Sequence, residues 1–531
     1  MTATLIESIA PPSFPWVPDL GNGRYRNPVI HADYSDPDVI RHGDDFWMVA
    51  SSFNCAPGLP ILHSRDLVNW TLVGHAIAGV PHPRYAQVQL GAGVWAPSIR
   101  FNDGKFYVVF AMPDEGVYAV SATHPAGPWS QPWLMQEAKG WIDPCPFWDD
   151  DGQAYLAHAY SLSRSGKKER IHLRPMSPDC RRLLGEGREL FHTPQHLYLE
   201  GPKLYKLNGF YYIFAPGGGV PTGWQVAFRS RNIWGPYEEK VVLEQGATAI
   251  NGPHQGALID MPDGTWWFIH FQDMGAFGRV VHLQPVEWKD DGWPLIGQDY
   301  DGNGIGEPVS EWAKPRLDDD PVAQIPESSD DFSGSKLRPQ WQWHANSAGD
   351  WASLTDRPGW LGMRAVAFPD LSLHLFPAFL GQKFPARQFA AETSLDCSAL
   401  PAGVSAGLAV VGGLEHGAVA VRRAGAEIEI VSIDNGSVSV IKRVSTSAVR
   451  FRVSVDADGT CSFSFASLGI AYERLAHGFR ADGGNWIGAK VGLFAVLDPQ
   501  AIPQRGSKCA YFSEFTFSSR DALVHSDAVI L

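Results

Sequence analysis

Five segments of this chain repeat one pattern: "DPDVIRHGDDFWMV", "APSIRFNDGKFYVV", "DPCPFWDDDGQAYLA", "GPKLYKLNGFYYIF" and "GPHQGALIDMPDGTWWFI". Each passes from a proline through a short apolar run to a turn carrying Gly with Asp or Asn, then into an aromatic-rich strand. The prolines are Pro37, Pro97, Pro144, Pro202 and Pro253, spaced by 60, 47, 58 and 51 residues. Units of about 50 residues with about four strands each are β-propeller blades. The repeat therefore predicts an all-β fold with a five-bladed propeller over residues 22–315. A β-sandwich with chance similarity is the alternative.

In a propeller the first strand of every blade lines the central axis, and its start faces one mouth of the channel. Residues beside the repeated proline should then converge: Asp36 with Asp38, Trp95 with Ala96, Asp143, Glu200 and His254. The repetition serves structure, and the variation beside the proline serves chemistry. Three crowded carboxylates cannot all ionise freely, so at least one is expected to hold a proton near neutral pH. One such acid with one ionised base can split a glycosidic bond. Each acid taken alone also reads as a turn or strand-start cap.

Beyond residue 315 the pattern changes. "RLDDDPVAQIPESSDD" reads as an acidic linker, placed at 316–329, and residues 1–21 read as an N-terminal extension. Residues 330–531 alternate apolar and polar positions between Gly, Asn and Asp turns, which predicts a jelly-roll-like β-sandwich. The 54 Gly, 40 Pro and 20 Trp suit a turn-rich β protein with aromatic walls.

A net charge of −14 argues against a nucleic-acid partner, whose phosphates would be repelled. No apolar run is long enough to cross a membrane. The first residues, "MTATLIESIAPPSFPWVPDLG", contain neither the basic start nor the apolar stretch of a signal peptide, which gives a cytoplasmic expectation. Six scattered cysteines without a CxxC fit buried thiols in a reducing compartment better than disulfides or zinc. "DYDGNGIGEPVS" starts like a calcium loop but has Ser310 in its twelfth position, and "APGGGVPTG" lacks the Lys-Ser/Thr of a phosphate loop.

Together "SDPDVIRHGDDFWMVASSFNCAPGLPILHSRDLVNW", "GVWAPSIRFNDGKFYVV", "WIDPCPFWDDDGQAYL", "LEGPKLYKLNGFYYIF" and "FGRVVHLQPVEWKDDGWPLIG" resemble glycoside hydrolase family 43. The closest likeness is to its bacterial β-xylosidase and α-L-arabinofuranosidase branch, and "DDFSGSKLRPQWQWHAN" resembles the start of that branch's C-terminal sandwich. The resemblance implies a glycosidase acting on hemicellulose-derived oligosaccharides such as xylan fragments, by inversion and without a required cofactor. It implies Asp36 as general base, Asp143 as the residue that raises the acid's pKa and orients it, and Glu200 as general acid. Base and acid would then stand about 6.5–9.5 Å apart, leaving room for water. Phe53 and Trp95 would wall the subsite for the terminal sugar, and Arg279 would clamp its hydroxyls. His254 would lie near the pocket, with a channel Ca2+ contacted through water. The small oligosaccharide is the expected partner, with room left for a homo-oligomer. Two other readings stay open: a retaining fructosyl hydrolase or transferase, which would carry "RDP" where this chain has "IDP", and a non-catalytic carbohydrate-binding propeller.

Overall fold

A computed structural model describes residues 15–317, 322–424, 427–476, 478–498 and 509–519. Most of the expected N-terminal extension, part of the linker and the end of the sandwich region lie outside them. The first half forms five four-stranded antiparallel sheets, each built from consecutive strands. Their innermost strands are Asp38–His42, Trp95–Asn102, Trp141–Trp148, Lys203–Leu207 and His254–Asp260, so each repeated proline stands just before or just inside the start of one. This is a five-bladed propeller.

The turns follow from their residues. In the second blade Asn102 pairs with Lys105, and the two residues between, Asp103 and Gly104, both have positive φ (46° and 72°). In the fourth, Leu207 pairs with Phe210 around Asn208 and Gly209 (51° and 76°). Two consecutive left-handed residues make a type I′ turn, whose twist matches the flanking strands and which Asn-Gly and Asp-Gly favour.

Among the described residues no strand is exchanged between the four-stranded sheets of the first and last blades, and the ring closes by other contacts, among them a bridge between Ile30 and Val281. Arg24–Arg26 pairs with Glu311–Ala313. The Tyr25 hydroxyl donates to the Leu283 carbonyl at 2.8 Å, and the Asn27 amide donates to the carbonyls of Leu283 and Val309, both at 2.8 Å. Apolar side chains from both ends of the ring, including Val39, Phe46, Ile259 and Leu283, share one core.

The second half packs two eight-stranded sheets face to face around a core rich in Phe, Val and Leu. It sits against the propeller. Ala56 and Trp343 exchange backbone hydrogen bonds, and Asn346 bonds both backbone groups of Val80. Asp33 accepts from the amides of Arg279 and Gly488, both at 2.9 Å. These contacts fix a sandwich loop beside the mouth of the channel.

Candidate active site

The residue preceding the repeated proline has left-handed backbone in all five blades: Asp36 (φ 53°), Ala96 (34°), Asp143 (57°), Gly201 (60°) and Gly252 (50°). This turn aims the chain into the channel mouth. It is costly for a residue with a Cβ, about 1–3 kcal/mol, and such strain gathers at functional sites; Asp tolerates it better than most. In the last two blades no side chain fits. A Cβ on Gly201 would come within 2.4 Å of Gln255, and one on Gly252 within 2.1 Å of the Val220 carbonyl oxygen. The fourth blade therefore supplies its carboxylate one position earlier, from Glu200.

Each carboxylate is held differently. Asp36 Oδ2 accepts from the hydroxyls of Ser35 (2.9 Å) and Ser51 (2.6 Å), while Oδ1 accepts from Arg279 Nη1 at 2.8 Å. Asp143 Oδ2 accepts from the Gly201 amide at 2.7 Å. Because Gly201 follows Glu200, this bond ties the second carboxylate to the backbone of the third. Glu200 Oε2 accepts from Lys168 Nζ, and Oε1 lies 3.7 Å from His254 Nε2.

Asp36, Asp143 and Glu200 line one cavity of about 540 Å³ together with Phe53, Trp95 and Arg279. The Phe53 and Trp95 rings meet edge to face at 6.4 Å. His254 does not reach this cavity. It is fully buried behind Glu200, and its neighbour Gln255 lines the wall instead. The strand alternates at this point, so one residue faces the cavity and the preceding one the interior. Asp38 is also withdrawn: it is buried in an ion pair with Arg100 at 2.6 Å, with Lys203 at 3.5 Å.

The cavity also contains residues that lie outside the repeated segments. Lys168 comes from the 161–169 loop of the third blade, which is pinned where Glu169 accepts from the Tyr198 amide at 2.9 Å. Arg164, in the same loop, lies 5.0 Å over the Trp95 ring. Trp486 comes from the sandwich, on the loop that Asp33 anchors, and faces the Arg279 guanidinium at 5.5 Å. It lines the cavity on the side of the second domain.

Residues 25–294 match glycosyl hydrolases family 43, and residues 329–518 match the β-xylosidase C-terminal concanavalin A-like domain. The chain belongs to glycosyl hydrolase family 43. A protein of Xylanibacter ruminicola is 43% identical over 481 residues, 90% of this chain and 88% of its own length. The non-reducing end α-L-arabinofuranosidase of Bacteroides ovatus is 32% identical over 385 residues, 68% of this chain and 69% of that one. The structure of xylan β-1,4-xylosidase from Bacillus halodurans superposes with a TM-score of 0.81 at 25% identity, covering 93% of this chain and all of that one. The chain is thus a glycoside hydrolase, and its sandwich is of the concanavalin A-like type.

Within this family-43 site the protons are unevenly shared. Burial, then the negative charge of Glu200 and then that of Asp36, push the Asp143 pKa up to about 7. Burial acts on Glu200 in the same direction and is its largest single influence, but Lys168, His254 and Arg279 together hold the Glu200 pKa below the usual carboxylate value. Burial also pulls His254 down to about 3. That imidazole is therefore neutral near pH 7, and Lys168 is the cation that Glu200 meets. Asp143 and Glu200 titrate as a pair, which holds one proton below about pH 7 and loses it above.

Calcium takes six to eight oxygen ligands. Around His254 there are two buried imidazole nitrogens without hydrogen-bond partners and the more distant Glu200 carboxylate. Among the described residues no group of three or more His, Cys, Asp or Glu is arranged to hold a metal ion. These donors do not fit a calcium ion, whereas the two imidazole nitrogens suit a water molecule. Cleavage by paired carboxylates needs no cofactor.

Proposed function

We propose that this enzyme removes a terminal pentose, β-D-xylosyl or α-L-arabinofuranosyl, from short hemicellulose-derived oligosaccharides by single displacement with inversion. Asp36 is the base that deprotonates the attacking water. Glu200 protonates the leaving oxygen. Asp143 shares the proton that Glu200 must deliver and, through the Gly201 amide, fixes where Glu200 stands. The observation that carries this reading is the convergence of carboxylates from three blades on one cavity, two of them from left-handed positions. The names of the relatives support the pentose, and Trp486 supports exo attack, because a sandwich side chain at the cavity wall narrows the path of a longer chain on that side.

NMR in the first minutes of hydrolysis tests the displacement. A β-xyloside should release α-xylose, and an α-arabinofuranoside the β anomer, before mutarotation mixes them. A first product with the substrate's own configuration would remove Asp36 as base, because retention requires a carboxylate nucleophile.

Lys168 gives a second expected result. The Asp143–Glu200 pair loses its shared proton as pH rises through about 7, so kcat/KM should fall along an alkaline limb near that value. Lys168 favours ionised Glu200. In Lys168→Met the pair should keep its proton to higher pH, and the limb should move upward. An unchanged limb would show that Lys168 does not control this proton.

A further inference from the structure

We propose that Cys55 and Lys490 form an oxidation site, at which peroxide converts the thiol and amine into a covalent sulfur–nitrogen link between the propeller and the sandwich. Cys55 lies in the first-blade loop two residues after Phe53, and Lys490 begins the sandwich strand Lys490–Leu497. Both residues are 2% exposed. Lys490 Nζ stands 2.6 Å from Cys55 Sγ, the one hydrogen-bond partner of that ammonium among the described residues. Elsewhere in the molecule, nitrogen donors approach a thiol less closely: Arg100 and the Leu204 amide stand 3.3 and 3.4 Å from Cys145 Sγ. The loop can hardly withdraw, because Ala56 is bonded to Trp343 and the Asn54 side chain donates to the His344 carbonyl at 2.7 Å.

The pair is reachable by a small polar oxidant. Cys55 and Lys490 line a cavity of about 360 Å³ between the domains, which extends to the exposed Leu414. His344 lines the same cavity, and its Nδ1 is buried without a hydrogen-bond partner. A peroxide molecule entering there meets a polar nitrogen that is unsatisfied in the protein, in the same cavity as the Cys55 thiol.

The chemistry balances with one hydrogen peroxide. The thiol sulfur attacks one peroxide oxygen, the O–O bond breaks, and sulfenic acid and water form; sulfur is oxidised by two electrons. Sulfenic acids condense with nearby nitrogen nucleophiles. Lys490 Nζ then attacks sulfur as the S–OH bond breaks, and the hydroxyl leaves with a proton from nitrogen as a second water. The net change is the loss of one hydrogen from each side chain.

Peptide mass spectrometry on the full-length reduced protein, with and without hydrogen peroxide, tests the proposal. After peroxide the Cys55 and Lys490 peptides should appear as one species, two hydrogens lighter than their sum, and thiol reductant should separate them. Trypsin should cease to cut after Lys490 in the treated sample, because the linked amine is no longer a lysine side chain. Cys55→Ser, a one-atom change in a buried position, should restore that cut and abolish the linked species; Lys490→Met should abolish it too. Recovery of Cys55 as free thiol, or as sulfinic or sulfonic acid with Lys490 still cleaved by trypsin, would overturn the proposal.

Discussion

Asp36→Ala should reduce hydrolysis by at least about a hundredfold on every substrate, because general base catalysis contributes about 10²–10⁴-fold and no leaving group replaces it. Asp36 is the one of the three carboxylates whose polar partners are two hydroxyls and a guanidinium, with no lysine or second carboxylate bonded to it. Its truncation leaves Arg279 with Ser35 as the remaining hydrogen-bond partner of Nη1, so some loss of stability is also expected. Asp36→Asn separates the two effects. The amide oxygen can still accept from Arg279, but it cannot take a proton from water. Asp36→Asn should therefore melt close to the wild type and be as inactive as Asp36→Ala. Retention of more than about a tenth of the wild-type rate would place the base elsewhere.

The propeller was legible because its signal is redundant. Five prolines, each followed by a Gly-bearing turn and an aromatic strand, specify the same unit, and its topology forces their neighbours together. Asp36, Trp95, Asp143 and Glu200 were legible for that reason: their positions relative to the repeat place them at the channel mouth. His254 follows its proline instead of preceding it, as Asp38 does in the first blade, and both side chains are buried in the interior while Gln255 lines the cavity. Lys168 and Trp486 had no such marker. One lies in an irregular loop between blade strands. The other lies in "GGNWIGAK" of the second domain, which is held beside the site where Gly488 bonds Asp33 and Ala489 bonds Ala276 across the domain interface. Neither contact has a period, so the pattern of the chain could not announce them. The distribution of protons between Asp143 and Glu200 was hidden for the same reason, since it depends on which carboxylate meets Lys168.

Glu200→Gln should divide substrates by leaving group. An amide in place of the carboxyl cannot deliver a proton, so a sugar leaving group would have to depart as an alkoxide, and hydrolysis of xylobiose or an arabinosylated oligosaccharide should fall about 10²–10⁴-fold. A dinitrophenyl glycoside leaves as a stabilised phenolate and needs little help, so its rate should fall far less. The base keeps its own partners, because the hydrogen bonds of Asp36 run to Ser35, Ser51 and Arg279. The substitution also removes the charge that Lys168 meets and the largest ionic contribution raising the Asp143 pKa. Asp143 should then titrate lower, and the alkaline limb near pH 7 should vanish from the activated substrate's profile. Equal losses on both substrate types would take the acid role away from Glu200 and leave it a charge that positions Lys168 and Asp143. A selective loss on the unactivated substrate, with the limb abolished, would fix Glu200 as the group that carries the pair's proton to the leaving oxygen.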